Sequence, residues 1–235
     1  MTLDMATLAG NIKAVREKVR RAALKAGTDP SAVHLIAVSK TVGLEEIDMA
    51  CRQGLTDFGE NRVQDLKIKQ SRYPQVRWHM IGRLQTNKVK DVIGRAFLIH
   101  SLDRWSLAEY IEKRAEKERT VVSALLQVNV SGEKSKSGVA PEEVKDFLHA
   151  VSQLNHLRVL GLMTMAPEVD DPEETRPVFK ELRRIFDIVK ESNYPRVEMR
   201  YLSMGMTQDF EVAIEEGANM VRIGRALFDP GVKEV

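Results

Sequence analysis

Eight short apolar runs rich in β-branched residues recur along this chain, and helical patterns separate them. The runs are Val33–Lys40, Asp57–Glu60, Arg77–Gly82, Phe97–Ser101, Val121–Val130, Val159–Met165, Glu198–Met204 and Met220–Gly224. The intervening helical patterns cover Leu44–Gln53, Arg62–Gln70, Lys88–Ile93, Arg104–Lys117, Pro141–Leu154, Glu173–Glu191 and Asp209–Glu216. Pro141 suits a helix start, and Gly54, Gly94 and Gly217 stand where helix C-caps would be. Alternation of this kind implies a parallel sheet with right-handed crossovers. Eight units in 235 residues fit a closed (β/α)8 barrel of the TIM type better than an open sheet. An open, doubly wound sheet would need a Gly-rich phosphate loop after an early strand, and none is present.

One further helix precedes the first strand. Leu8, Ile12, Val15, Val19 and Ala22-Ala23 fall at helical spacing, and Gly27 is a plausible stop. Little chain remains after Phe228 for an eighth outer helix, so this N-terminal helix is expected to cover the barrel's closing seam. The expected organisation is one domain over 1–235, with the helix at 1–27 and the barrel at 33–228.

The composition excludes several classes. With 36 basic and 34 acidic residues, the net charge of +2 gives no reason to expect a nucleic-acid or membrane partner. Cys51 is the single cysteine, so an internal disulfide and a multi-cysteine metal site are ruled out. No apolar run reaches membrane-spanning length, and Met1-Thr2-Leu3-Asp4 does not open a signal peptide; the expected location is the cytoplasm.

In a (β/α)8 barrel the active site lies at the carboxyl ends of the strands. The first strand ends at Lys40, the second at Gly59-Glu60-Asn61, and the third carries His79. The fourth ends at His100-Ser101, the seventh at Ser203-Met204-Gly205-Met206, and the eighth carries Arg222 and ends at Gly224-Arg225. An ammonium group at the end of an apolar strand is costly unless it reaches a pocket, where a partly desolvated amine becomes a nucleophile for an aldehyde. The plain alternative is a surface lysine. Ser203 offers a hydroxyl, Gly205 and Gly224 let backbone N–H groups approach an anion, and Arg225 adds charge, at the place where barrels commonly hold a phosphate. An amine facing a phosphate cradle describes a pyridoxal 5′-phosphate (PLP) site, and equally a sugar-phosphate aldolase. Arg222 favours PLP: a cation at the pyridine nitrogen opposes its protonation and weakens the ring as an electron sink. Its other reading is a structural arginine paired with Glu60 or Glu198. His79 and His100 are candidates for the same pocket, and Ser131–Gly138 is a loop that would serve as a lid or simply lie in solvent.

Six segments together carry a resemblance: Ala37-Val38-Ser39-Lys40-Thr41, Phe58 to Gln64, Trp78 to Lys88, Leu160 to Met165, Leu202 to Thr207, and Val221 to Arg225. With them the chain resembles the PLP homeostasis proteins, the YggS/PROSC group. The resemblance implies a fold-type III PLP protein, like the barrel domain of alanine racemase and without that enzyme's C-terminal β-domain. It implies that Lys40 carries the internal aldimine and that Arg222 faces the pyridine nitrogen. Ser203, Gly224 and the backbone at Arg225 would hold the phosphate, with Met204 and Gly205 in the same turn and Asn61 and His79 near the ring. Many members have Thr or Ser where this chain has Arg225.

The family is linked to vitamin B6 balance, with no robust activity assigned. A racemase of this fold type needs a base on each face of its substrate, and in alanine racemase a tyrosine from the partner's β-domain supplies the second. Tyr73, Tyr110, Tyr194 and Tyr201 offer no obvious substitute. The expected function is therefore a monomeric PLP carrier or buffer, with PLP-dependent apoenzymes as acceptors. The alternative is a weak PLP-dependent racemase or lyase.

Overall fold

In the computed structural model, residues 3–133 and 136–231 are described. Eight strands close a parallel barrel in sequence order. They are β1 (His34–Val38), β2 (Asp57–Glu60), β3 (Arg77–Met80), β4 (Leu98–Leu102), β5 (Val122–Gln127), β6 (Leu157–Met163), β7 (Val197–Ser203) and β8 (Met220–Ile223). The strands read as nearly unbroken apolar runs because most of their residues are covered on both faces, by the barrel interior on one side and helices on the other. Ile36, Leu98, Leu125, Leu160, Met163 and Met220 fill the interior, while the larger core lies between the strands and the outer helices.

The outer layer contains α1 (Met5–Lys25), α2 (Leu44–Arg52), α3 (Val63–Arg72), α4 (Trp105–Lys117), α5 (Val144–Val151), α6 (Arg176–Lys190), α7 (Phe210–Glu215) and α8 (Arg225–Phe228). α1 buries Leu8, Ile12, Val15, Val19, Ala22 and Ala23, and packs against α2, α7 and α8. Asn11 Nδ2 donates to the Leu227 carbonyl at 3.0 Å, and Lys25 pairs with Glu215 at 2.7 Å. The N-terminal helix thus lies over the junction where β1 pairs with β8.

Several elements differ from the sequence expectation. The third crossover is a 3-10 helix at Thr86–Asp91, not an α-helix at Lys88–Ile93. Val89 is buried within it, Val92 and Ile93 just beyond it, and Gly94 stops the segment with φ +75°. The helices expected at Pro141–Leu154 and Glu173–Glu191 each begin as a separate 3-10 turn, at Pro141–Glu143 and Pro172–Thr175. Pro177 is tolerated because it falls in the first turn of α6, where its missing N–H breaks no helical bond. β6 is irregular at Gly161: its φ is +143°, and a Cβ there would sit 1.8 Å from the Tyr201 carbonyl oxygen. β1 ends at Val38, so Lys40 belongs to the following turn.

Candidate functional site

Strand parity decides what reaches the barrel mouth. On β1, Ile36 lies in the interior cluster, so Val38 and then Lys40 follow it on the inward side. On β8, Met220, Arg222 and Gly224 share that parity. At the carboxyl ends a cleft of about 540 Å³ is lined by Lys40, Asn61, Met165, Thr207, Arg222 and Arg225, with Val38, Thr41, Ile81, Asp209 and Gly224 among the other walls. Among the described residues Lys40 is the only lysine on this wall, and its side chain is exposed to the cleft.

Arg222 forms part of the cleft floor. Only 4% of the residue is exposed. Its Nη1 donates to Ser203 Oγ at 2.6 Å and its Nη2 to the Thr164 carbonyl at 2.9 Å. Burial lowers its pKa to about 10, which still leaves a cation at neutral pH. The proposed carboxylate partners are elsewhere: Glu60 binds Lys69 and Ser39, and Glu198 binds Arg200. Arg222 is therefore not a structural arginine paired with either of them. Of the five N–H donors on a guanidinium, these bonds leave some free to face the cleft.

The β7–β8 side of the cleft is built from the loops after those two strands. Gly205 has φ +92°, and a Cβ there would meet Ala213 Cβ at 2.6 Å; its absence lets the loop after β7 pack closely on α7. Its carbonyl accepts from the Arg222 N–H at 3.0 Å. Gly224 packs against Val38, whose carbonyl oxygen would lie 3.3 Å from an added Cβ. Arg225 opens α8, and its guanidinium points along the rim to within 3.9 Å of Glu168, with 64% of its side chain exposed.

Four expected site residues lie off the cleft wall. Ser203 is fully buried, one layer below the mouth, in register with Met163 and Met220; its hydroxyl is engaged by Arg222 and His100. On the β7–β8 side the hydroxyl residue that lines the cleft is Thr207, four residues further on, with Thr41 and Thr175 elsewhere on the wall. Met204 packs outward into the helix-facing core, and Gly205 is buried in the turn. His79 and His100 are fully buried in the barrel, beneath the cleft and not on its wall. Thr41, Thr207, Gln208 and Asp209 are cleft residues the sequence reading did not select. The loop position of Thr207, just after Gly205, was the available signal for it. In the loop after β5, Lys136 pairs with Glu133 at 2.8 Å, and Lys134 and Ser135 lie outside the described residues.

The buried histidines belong to one line of hydrogen bonds. His79 Nε2 is 3.1 Å from Asp57 Oδ1, His79 Nδ1 is 2.9 Å from His100 Nε2, and His100 Nδ1 is 3.1 Å from Ser203 Oγ. Burial lowers the pKa of both rings; the charges of Asp57, Arg77 and His34 act on His79, and those of His79 and Arg222 on His100. Burial opposes ionisation of Asp57, but bonds from His79 and Arg77 hold its carboxyl well below the usual range. These directions give a signed prediction. Both histidines take up a proton less readily in the folded protein than in the unfolded chain. Stability is therefore fully present above the unfolded histidine pKa, about 6.5, and is lost as the pH falls below it, by up to about 1.4 kcal/mol per pH unit for each ring. Urea denaturation between about pH 8 and pH 5 checks this; a flat profile would refute it.

The donor set suits PLP: an amine on the β1 side, a buried cation below, a hydroxyl and close-packed glycine backbone on the β7–β8 side, and apolar walls from Val38, Ile81 and Met165 between them. Among the described residues no helix is long and apolar enough to cross a membrane.

Comparison with known proteins places this geometry. The alanine racemase N-terminal domain family matches residues 4–230. The pyridoxal phosphate homeostasis protein of Aquifex aeolicus is 46% identical over 217 residues, 91% of this chain and 94% of its own. That of Pseudomonas aeruginosa is 40% identical over 226 residues, 95% of this chain and 96% of its own. Among solved structures, PipY of Synechococcus elongatus with PLP bound superposes with a TM-score of 0.80 at 32% identity, covering 94% of this chain and 99% of PipY. The similarity spans almost every strand, helix and cleft residue described above, and the chain belongs to the pyridoxal phosphate homeostasis protein family, built on the alanine racemase N-terminal domain.

Proposed function

We propose that this protein binds PLP at the barrel mouth and holds it reversibly, as a carrier or buffer in vitamin B6 homeostasis. The observation that carries the reading is the pairing of Lys40 and Arg222 on one cleft beside the β7–β8 loops. When bound, PLP supplies an aldehyde that amines capture reversibly and a ring that can accept electrons. Lys40 is the amine that tethers the aldehyde. Thr207 and the backbone at Gly224 and Arg225 hold the phosphate, and Asn61 flanks the ring. Arg222 donates to the pyridine nitrogen and, as a cation, opposes its protonation. In this reading Ser203 and His79 act from beneath the cleft.

Restraint of catalysis follows from the same wall. Neither a tyrosine nor a histidine lines the cleft among the described residues; of its two carboxylates, Asp209 accepts from the Met206 N–H at 2.6 Å and Glu168 lies on the exposed rim beside Arg225. A second base opposite Lys40 is what a racemase needs. Met165 and Met206, each 38% exposed, flank an open mouth, which suits delivery of the cofactor to PLP-dependent apoenzymes in the cytoplasm by a monomer.

The test is direct. Purified protein loaded with PLP is expected to absorb near ~420 nm, and borohydride is expected to fix the cofactor on the peptide containing Lys40. In D2O with L-amino acids, little Cα deuteration is expected; rapid exchange with turnover would replace the carrier reading with that of a racemase or lyase. Absence of the band would leave a sugar-phosphate aldolase as the surviving use of the same amine and anion cradle.

A further inference from the structure

A line of polar groups crosses the barrel from one mouth to the other, inside an otherwise apolar interior. It begins at Arg222 on the PLP cleft and ends at Asp57, which lines a second cleft of about 410 Å³ at the opposite end beside Arg77. Each link is at hydrogen-bond distance: Arg222 to Ser203 at 2.6 Å, Ser203 to His100 at 3.1 Å, His100 to His79 at 2.9 Å, and His79 to Asp57 at 3.1 Å. Ser203, His100 and His79 are fully buried, and Asp57 is 7% exposed. Arg77 closes the far end with two bonds to the Asp57 carboxylate, at 2.7 and 2.6 Å.

The direction of this chain is fixed by its ends. A guanidinium only donates and a carboxylate only accepts. His79 must therefore present Nε2–H to Asp57, which leaves its Nδ1 as an acceptor if the ring is neutral. His100 must then present Nε2–H to His79 and accept at Nδ1 from the Ser203 hydroxyl. Ser203 in turn accepts from Arg222. Every donor meets an acceptor, with no proton left over and both rings neutral. A reversed tautomer at either histidine would set two lone pairs or two protons against each other, in a place where an unpaired polar group is costly.

Resting on the PLP reading above, we propose that His100 and His79 are positioning residues for the cofactor. With Ser203 and Asp57 they form a one-way relay that holds Arg222 in place as a donor beneath the pyridine nitrogen. The Ser203 proton points down the relay, so no hydroxyl proton is available to the nitrogen from below. Asp57, itself paired with Arg77, supplies the acceptor terminus that fixes the direction of the relay.

The experiment begins without cofactor. In protein carrying ¹⁵N-labelled histidine, two-bond N–H correlation is expected to show both buried rings neutral with the proton on Nε2. Two variants then follow. His100→Gln keeps a donor toward His79 and an acceptor toward Ser203; His100→Leu keeps neither. In the PLP-loaded proteins, His100→Leu is expected to shift the ~420 nm band and weaken PLP binding about tenfold, and His100→Gln to restore most of both. Should His100→Leu fail to fold, Ser203→Ala breaks the chain one link higher by removing a single oxygen, with the same shift and loss expected. A proton on Nδ1 of either ring, or a folded His100→Leu or Ser203→Ala protein with unchanged band and affinity, would overturn the relay. A wild-type protein with the expected tautomers and no band would overturn the PLP reading and the positioning role, while the tautomers would still establish the hydrogen-bond order.

Discussion

Lys40→Ala is expected to abolish the absorbance near ~420 nm of the PLP-loaded protein and the borohydride-stable label, while far-UV circular dichroism and thermal unfolding stay near those of the parent. Lys40 is exposed in a turn beyond β1, so its removal opens no cavity and unpairs no buried group. Stability is expected to move by no more than about 0.5 kcal/mol, as for ordinary surface changes. Residual PLP, held through phosphate and ring contacts alone, is expected to leave on gel filtration. Persistence of the band would place the tether on another lysine. Lys88 and Lys136 would be tried next, although neither lines the cleft.

Lys69→Met is expected to have the largest effect on stability. Lys69 Nζ binds Glu60 Oε1 at 2.6 Å and the Ser39 carbonyl at 2.7 Å, in the layer between β2 and α3. Glu60 is fully buried and its Oε2 has no hydrogen-bond partner. Removing the ammonium strands a buried carboxylate, at a cost of about 3–5 kcal/mol. For a chain of this size that corresponds to a fall in Tm of roughly 6–20 °C. Replacing both partners, Lys69→Met with Glu60→Leu, is expected to recover most of the loss, because an apolar pair needs no compensation. A single variant melting within a degree or two of the parent would show that the pair contributes little. Since Lys69 also fixes the Ser39 carbonyl, the single variant is expected to loosen the backbone immediately before Lys40.

The contrast between the two lysines shows what the sequence made legible. Both lie beside apolar segments, yet Lys40 was identifiable because it ends the first run at the mouth of a barrel, a rule of position that needs no contact information. Lys69 reads in sequence as one basic residue among several on α3. Its burial depends on Glu60 arriving from β2, and only the folded chain makes that pairing visible. The strand count was legible for a similar reason: segments covered on both faces stay apolar throughout. Their ends were less so, because each carboxyl end passes into the cleft and becomes polar. One layer of strand register separates interior from mouth, so Ser203 lies buried beneath the cleft while Thr207 lies on its wall. The segment at Lys88–Ile93 takes 3-10 turns and is stopped by the positive-φ Gly94. The cross-barrel line escaped the sequence entirely, since Asp57, His79, His100 and Ser203 come from four strands and meet only when the barrel closes.

Closure also bears on how the protein is made. β1 pairs with β8, and α1 packs on α7 and α8, so elements early in this sequence find partners among late ones. Asn11 and Leu227 are 216 residues apart in sequence, and Lys25 and Glu215 are 190 apart. Contacts of such separation carry a loop-closure cost that must be met before they contribute, and they slow folding. During synthesis the part of the apolar face of α1 that meets α7 and α8 therefore waits uncovered until those helices have emerged. Nascent chains stalled before β8 present that face to chaperones or to one another.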